Sequence, residues 1–202
     1  MVLVDIGNTN YHIYKDGNIT HIKNICSFEE KVYYISVNNE KEKDLLIKNP
    51  HAINLKNYVK FKTRYEGLGI DRIMACKSIK DGVVVDAGSA ITVDIMENAR
   101  HLGGFISPGI YAFKKAFGTI SEVLKLEPLP LKNNLPNSTD EALNWGSIGA
   151  VKCLIEKVAE NKKIYFTGGD GKFLCNMFEK SEYIDDLVFR GMMITIKEME
   201  KK

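Results

Sequence analysis

The chain has 202 residues, 45% of them hydrophobic, and a formal net charge of +2, which is room for one large or two small domains around a buried core. Its charge comes from lysines and acidic residues scattered along the whole length, with only four arginines and no basic run long enough to track a phosphate backbone. Nucleic acid is therefore not the expected partner.

The first residues, MVLVDIG, are apolar but meet an acid at Asp5, too early for a signal peptide. No later segment approaches the roughly 20 apolar residues of a membrane span, so the expected location is the cytoplasm, with no membrane partner. Val2 to Asp5 reads as a strand, Gly7-Asn8-Thr9-Asn10 as a tight turn, Tyr11 to Lys15 as a second strand, and Asp16-Gly17-Asn18 as another turn. Val32 to Val37 is β-rich, and a charged helix is predicted from about Glu40 to Lys48, ended by Asn49-Pro50. Ile53 to Leu55 offers a short strand, and a helix starts near Asp71.

At Gly82 the pattern begins again. An apolar run delivers Asp86, Gly88-Ser89 turns the chain, and Ile91 to Met96 forms the next strand. D-I-G-N-T at Asp5 and D-A-G-S-A at Asp86 thus share one design, a weak internal repeat that puts the domain boundary near Lys80 to Gly82 and divides the chain into 1–80 and 81–202. Leu102 to Gly109 is a glycine-rich strand leading into a helix from about Ile110 to Leu126, stopped by Pro128 and Pro130. Asn137-Ser138-Thr139 looks like a helix cap with apolar positions running to Val158. Lys163 to Phe166 is a strand entering Thr167-Gly168-Gly169-Asp170, and a last amphipathic helix begins at about Asp185. The four cysteines form no C-x-x-C pair and the four histidines no metal-ligand cluster, which argues against structural zinc. Cys76, Cys153 and Cys175 sit among apolar neighbours and read as small buried hydrophobes.

Three segments carry chemistry. Asp5 to Asn10 places a glycine turn between two strands, where backbone N–H groups can meet anionic oxygens and the strand-end aspartate can hold Mg²⁺. Neither a Walker loop nor a G-x-G-x-x-G fingerprint occurs. Gly67-Leu68-Gly69-Ile70-Asp71-Arg72 opens a helix with an acid-base pair. Arg72 sits at the positive end of the helix dipole, where a cation needs an anionic ligand or neighbour to compensate it. Thr167-Gly168-Gly169-Asp170 lies between strand and helix, a place for a nucleotide in an α/β fold.

Together D-I-G-N-T-N, G-I-D-R at Gly69 to Arg72, V-V-D-A-G-S-A-I-T-V-D at Val84 to Asp94, L-G-G-F-I-S-P-G at Leu102 and T-G-G-D at Thr167 resemble, in that order, the type III pantothenate kinases. The resemblance implies an α/β fold of two ribonuclease-H-like domains in the actin-like and sugar-kinase superfamily, with mixed sheets flanked by helices. It also implies a homodimer and ATP-dependent phosphorylation of pantothenate, with Mg²⁺ and a monovalent cation, K⁺ or NH₄⁺, as cofactors. Asp71 falls on the family's proton acceptor, and Gly69, Ile70 and Arg72 on its pantothenate-binding segment. Asp5, Ile6, Gly7, Asn8, Thr9, Asn10, Tyr11 and His12 cover the ATP-binding stretch, joined by Ser89 in place of the usual threonine. Asp86 matches the monovalent-cation position. Thr139 resembles the threonine that reaches pantothenate across the dimer interface. Tyr65 stands where the family has its substrate-contacting tyrosine, without the asparagine and proline that usually follow.

Composition cannot choose among Asp5, Asp71 and Asp86 as the base; the resemblance does. Two other readings stay open at this point. One is an actin-like enzyme acting on another small hydroxylated acid or a phosphate chain. The other is a nucleotide-binding regulatory protein that has lost catalysis, against which the intact Asp71 argues.

Overall fold

Five strands of the first sheet and five of the second repeat one plan. The structure, a computed structural model, describes residues 1–132 and 134–201. It begins with β1 (Val2–Ile6), β2 (Tyr11–Lys15), β3 (Asn18–Ile22) and β4 (Val32–Ser36), then α1 (Asn39–Lys48) and β5 (Ile53–Asn54), in the sheet order β3-β2-β1-β4-β5. β1 pairs antiparallel with β2 and parallel with β4. Its Val2, Leu3, Val4 and Ile6 are all fully buried, which is why this strand reads as a continuous apolar run rather than an alternating one. The β2–β3 turn uses left-handed Asp16 (φ 50) and Gly17 (φ 84), as a two-residue hairpin connection requires. α1 is capped by Asn38, whose Oδ1 accepts from the N–H groups of Glu40 and Lys41, both at 3.1 Å. α2 (Ile70–Lys77) follows an irregular segment.

The second sheet is built from β6 (Gly82–Ala87), β7 (Ala90–Glu97), β8 (Arg100–Pro108), β9 (Ile164–Thr167) and β10 (Ser181–Tyr183), in the order β10-β9-β6-β7-β8. β6 has an antiparallel partner in β7 and a parallel one in β9, so it occupies the place of β1 in the first sheet. The internal repeat expected from Asp5 and Asp86 is therefore a repeat of topology. Around this sheet stand α3 (Ile110–Ile120), α4 (Thr139–Asn144), a π-helical turn at Trp145–Gly149, α5 (Ala150–Ala159) and α6 (Gly171–Cys175). Val83, Val85, Val93, Ile155 and Phe166 belong to its core.

The last helix, α7 (Leu187–Glu200), packs on α2. A Cβ on Gly191 would lie 2.0 Å from the Met74 carbonyl oxygen, so the two helices approach as closely as a glycine allows. The compact units consequently do not follow a single cut at residue 80. One comprises Met1–Lys80, Asn98–His101 and Asp186–Lys202; the other, Asp81–Glu97 and Leu102–Asp185.

Two local expectations need correction. α3 ends at Ile120 rather than near Leu126, because Ser121 turns extended (φ −162, ψ 142) and its N–H closes on the Phe117 carbonyl, well before the prolines. Cys153 is exposed, since it lies on α5 between the buried Val151 and Ile155; Cys76 is buried and Cys175 half-buried. Among the described residues no helix is long and apolar enough to cross a membrane.

Candidate active site

In the first unit, Asp5 stands near the end of β1, directly opposite His12 on β2 and Ile35 on β4. The turn beyond it is closed by the Gly7 N–H donating to the Asn10 carbonyl at 3.1 Å, with Asn8 and Thr9 exposed. Ile6 and Tyr11 send their side chains into the core, and the Tyr11 hydroxyl donates to the Lys41 carbonyl at 3.0 Å. Any part these two take toward a ligand falls to their backbone groups. His12 faces His21, with the two Nδ1 atoms 2.7 Å apart.

The G-I-D-R segment forms the N-terminus of α2, with Gly69 as the capping residue. Asp71 Oδ1 accepts from the Arg72 N–H at 2.8 Å, and a Cβ on Gly69 would come within 2.5 Å of that oxygen. A side chain at position 69 would displace the carboxylate from this position. Arg72 is only 5% exposed, and its guanidinium lies 5.0 Å from the centroid of the Tyr65 ring, so the buried cation is met by an aromatic face. A cavity of about 550 Å³ adjoins this segment, lined by Gly67 to Ile70 together with Ser36, Val37, Lys56, Phe61 and Thr63. The sequence reading did not find those five. The signal available was position: Ser36 ends and Val37 follows the strand parallel to β1, where ligands of open α/β sheets gather.

In the second unit three motifs converge on the turn after β6. The Gly88 N–H donates to the Ala90 carbonyl at 2.9 Å. Gly109, which ends S-P-G, packs so tightly on this turn that a Cβ would lie 2.2 Å from the Gly88 oxygen and 2.7 Å from that of Ser89. Gly168, with φ +83, comes in from T-G-G-D; a Cβ there would sit 2.5 Å from both the Ala87 carbonyl and Asp86 Oδ1. The Asp170 N–H donates to the Ala87 carbonyl at 2.9 Å. Burial raises the Asp170 carboxyl above the ordinary range. The Tyr183 hydroxyl donates to Asp185 Oδ1 at 2.8 Å and is pushed up to about 12, first by burial, then by its bond to Asp185 and the charges of Asp185 and Asp86. Ser89 is exposed, and nothing lies within 4 Å of where a Cβ on Gly88 would be.

Asp86 Oδ1 and the Ala87 carbonyl thus share the space beside Gly168 that a Cβ would fill. Carboxylate and carbonyl oxygens are the donors a hard cation prefers. Among the described residues no group of three or more His, Cys, Asp or Glu could hold a metal ion.

Thr139 is exposed at the first position of α4, after Ser138, whose Oγ accepts from the Glu141 N–H at 3.3 Å. It belongs to the second unit, Asp71 to the first. Near it, the partly exposed Trp145 borders an apolar cavity of about 400 Å³ with Leu129, Pro130 and Leu131.

The sequence profile of the type III pantothenate kinase family matches residues 36–161. Type III pantothenate kinases from Wolinella succinogenes and Campylobacter jejuni are 46% and 49% identical to the chain, over 100% and 98% of it and 99% and 97% of their own lengths. A solved Campylobacter jejuni structure, named for the Baf family of transcriptional activators, is 42% identical with a TM-score of 0.89 over 100% of both chains. MreB5 of Spiroplasma citri bound to ADP shares the fold at 9% identity, with a TM-score of 0.53 over 99% of this chain and 97% of that one.

Proposed function

The chain belongs to the type III pantothenate kinase family, and on that premise we propose that it transfers the γ-phosphoryl group of ATP to pantothenate. The product is 4′-phosphopantothenate, in the first step of coenzyme A biosynthesis, and the compartment is the cytoplasm. The observation that carries the reading is the Asp71 carboxylate at the N-terminus of α2, at the end of a segment that lines a cavity of about 550 Å³.

In this reading the turn from Gly7 to Asn10 receives the ATP phosphates, and Ser89 contacts the nucleotide. Asp5 would hold Mg²⁺, which would supply neutralisation of the phosphate charge. Asp86 would hold K⁺ or NH₄⁺, with the Ala87 carbonyl beside it as a further oxygen donor. Asp71 accepts the proton of the primary hydroxyl as that oxygen bonds to the γ-phosphorus and the bond to the ADP oxygen breaks. Gly69, Ile70, Arg72 and Tyr65 position the acid. The protein acts as a homodimer in which Thr139 of one subunit reaches pantothenate held by Asp71 and Arg72 of the other.

The test is ADP release with ATP, Mg²⁺ and a panel of small acids and sugars. Release should require pantothenate. Release with another acceptor, or with none, would replace pantothenate as substrate. Nucleotide binding without any turnover would favour the regulatory reading, in keeping with the name carried by the Campylobacter jejuni structure.

A further inference from the structure

The segment between the turn at Leu55–Tyr58 and α2 has no regular secondary structure, yet it carries Tyr65 to the face of Arg72. Without a helix or sheet ladder, its course depends on individual anchors. The structure supplies one from a distant part of the chain. His101, at the start of β8, is 1% exposed, and its Nδ1 lies 2.8 Å from Thr63 Oγ1. Thr63 Oγ1 in turn accepts the Tyr65 N–H at 2.9 Å, while the His101 N–H donates to the Lys62 carbonyl at 3.0 Å. The rings of Phe61 and Tyr65 flank the imidazole at 6.0 and 6.1 Å between centroids.

We propose that Thr63 and His101 are positioning residues for the acid substrate: they clamp the 59–69 segment so that Tyr65 stacks on Arg72 beside Asp71. This rests on the pantothenate kinase reading. A hydroxyl has one proton and two lone pairs, so Thr63 can serve the Tyr65 amide and the His101 ring together, which neither valine nor alanine can. The contacts form one chain: His101 to Thr63, Thr63 to the Tyr65 amide, the Tyr65 ring to Arg72, and the Arg72 amide to Asp71 Oδ1. None of these contacts reaches the Gly7 turn, so the clamp acts on the acceptor and not on ATP.

The experiment compares the parent with Thr63→Val, which keeps the shape and loses the hydroxyl, and Thr63→Ser, which restores it. Thr63→Val should raise KM for pantothenate about tenfold, the scale of one or two lost hydrogen bonds. KM for ATP and kcat should stay within about twofold, and Thr63→Ser should recover most of the loss. Amide hydrogen exchange over residues 59–69, followed without any substrate, should speed up in Thr63→Val and in His101→Phe but not in Thr63→Ser. An unchanged pantothenate KM, an equal rise in both KM values, or equal damage from valine and serine overturns the clamp. So does unchanged exchange in Thr63→Val. A parent enzyme that does not phosphorylate pantothenate overturns the functional reading instead, and the exchange measurement then still decides whether the clamp holds the segment.

Discussion

Replacing Gly168 with alanine should destabilise the protein, whereas the same change at the neighbouring Gly169 should not. Gly168 has φ +83, and its new Cβ would lie 2.5 Å from two oxygens, those of the Ala87 carbonyl and Asp86 Oδ1. The left-handed conformation costs an alanine roughly 1–2 kcal/mol, and forcing a methyl group into a filled site roughly 1–3 kcal/mol more. At roughly 2–4 °C per kcal/mol for a chain of this length, the melting temperature should fall by about 4–20 °C. Gly169 lacks a positive φ and has nothing within 4 Å of its would-be Cβ, so Gly169→Ala should melt within about 2 °C of the parent. Differential scanning calorimetry without ligands reads both variants. Gly168→Ala melting with the parent, or Gly169→Ala falling as far, would refute the packing of T-G-G-D onto Asp86.

Asp71→Asn should keep its melting temperature and most of its substrate binding while kcat falls about 10²-fold, the usual scale for a lost general base; turnover within a few-fold of the parent would mean the base is elsewhere. Mixing Asp71→Asn with an inactive Thr139 variant whose side chain blocks the pocket should restore activity toward half that of a normal dimer, because both lesions then fall on one shared site. No recovery after verified subunit exchange, or a fully active monomer, would remove the shared site. Because burial raises Asp170, its folded form favours the proton, so its contribution to stability is full below the ordinary carboxylate range and is lost as pH rises through the folded value. Asp170→Asn should therefore melt higher than the parent at pH 7, with the gain fading toward pH 4; equal melting at both pH values would show that the buried charge carries no penalty.

The strand-turn-strand units at Asp5 and Asp86 were legible because a buried strand, an acid and a glycine turn leave a local pattern, and the structure gives both the same sheet neighbours. The helix N-terminus at Gly69 to Arg72 was legible for the same reason. What escaped was non-local. Gly191 looks like an ordinary helix glycine until Met74 is found against it. Thr63 and His101 lie 38 positions apart and belong to no motif. β10 has three residues, too few to show a period. The early end of α3 was hidden because nothing marks Ser121, whereas Pro128 and Pro130 drew the boundary toward themselves.

The central claim is phosphoryl transfer from ATP to pantothenate, and phosphorus NMR of the complete reaction tests it most directly. With ATP, Mg²⁺, K⁺ and pantothenate, a phosphomonoester resonance should grow in step with ADP, and omitting pantothenate should leave ATP intact. ADP accompanied only by inorganic phosphate, or ATP unchanged in the complete mixture, would contradict it.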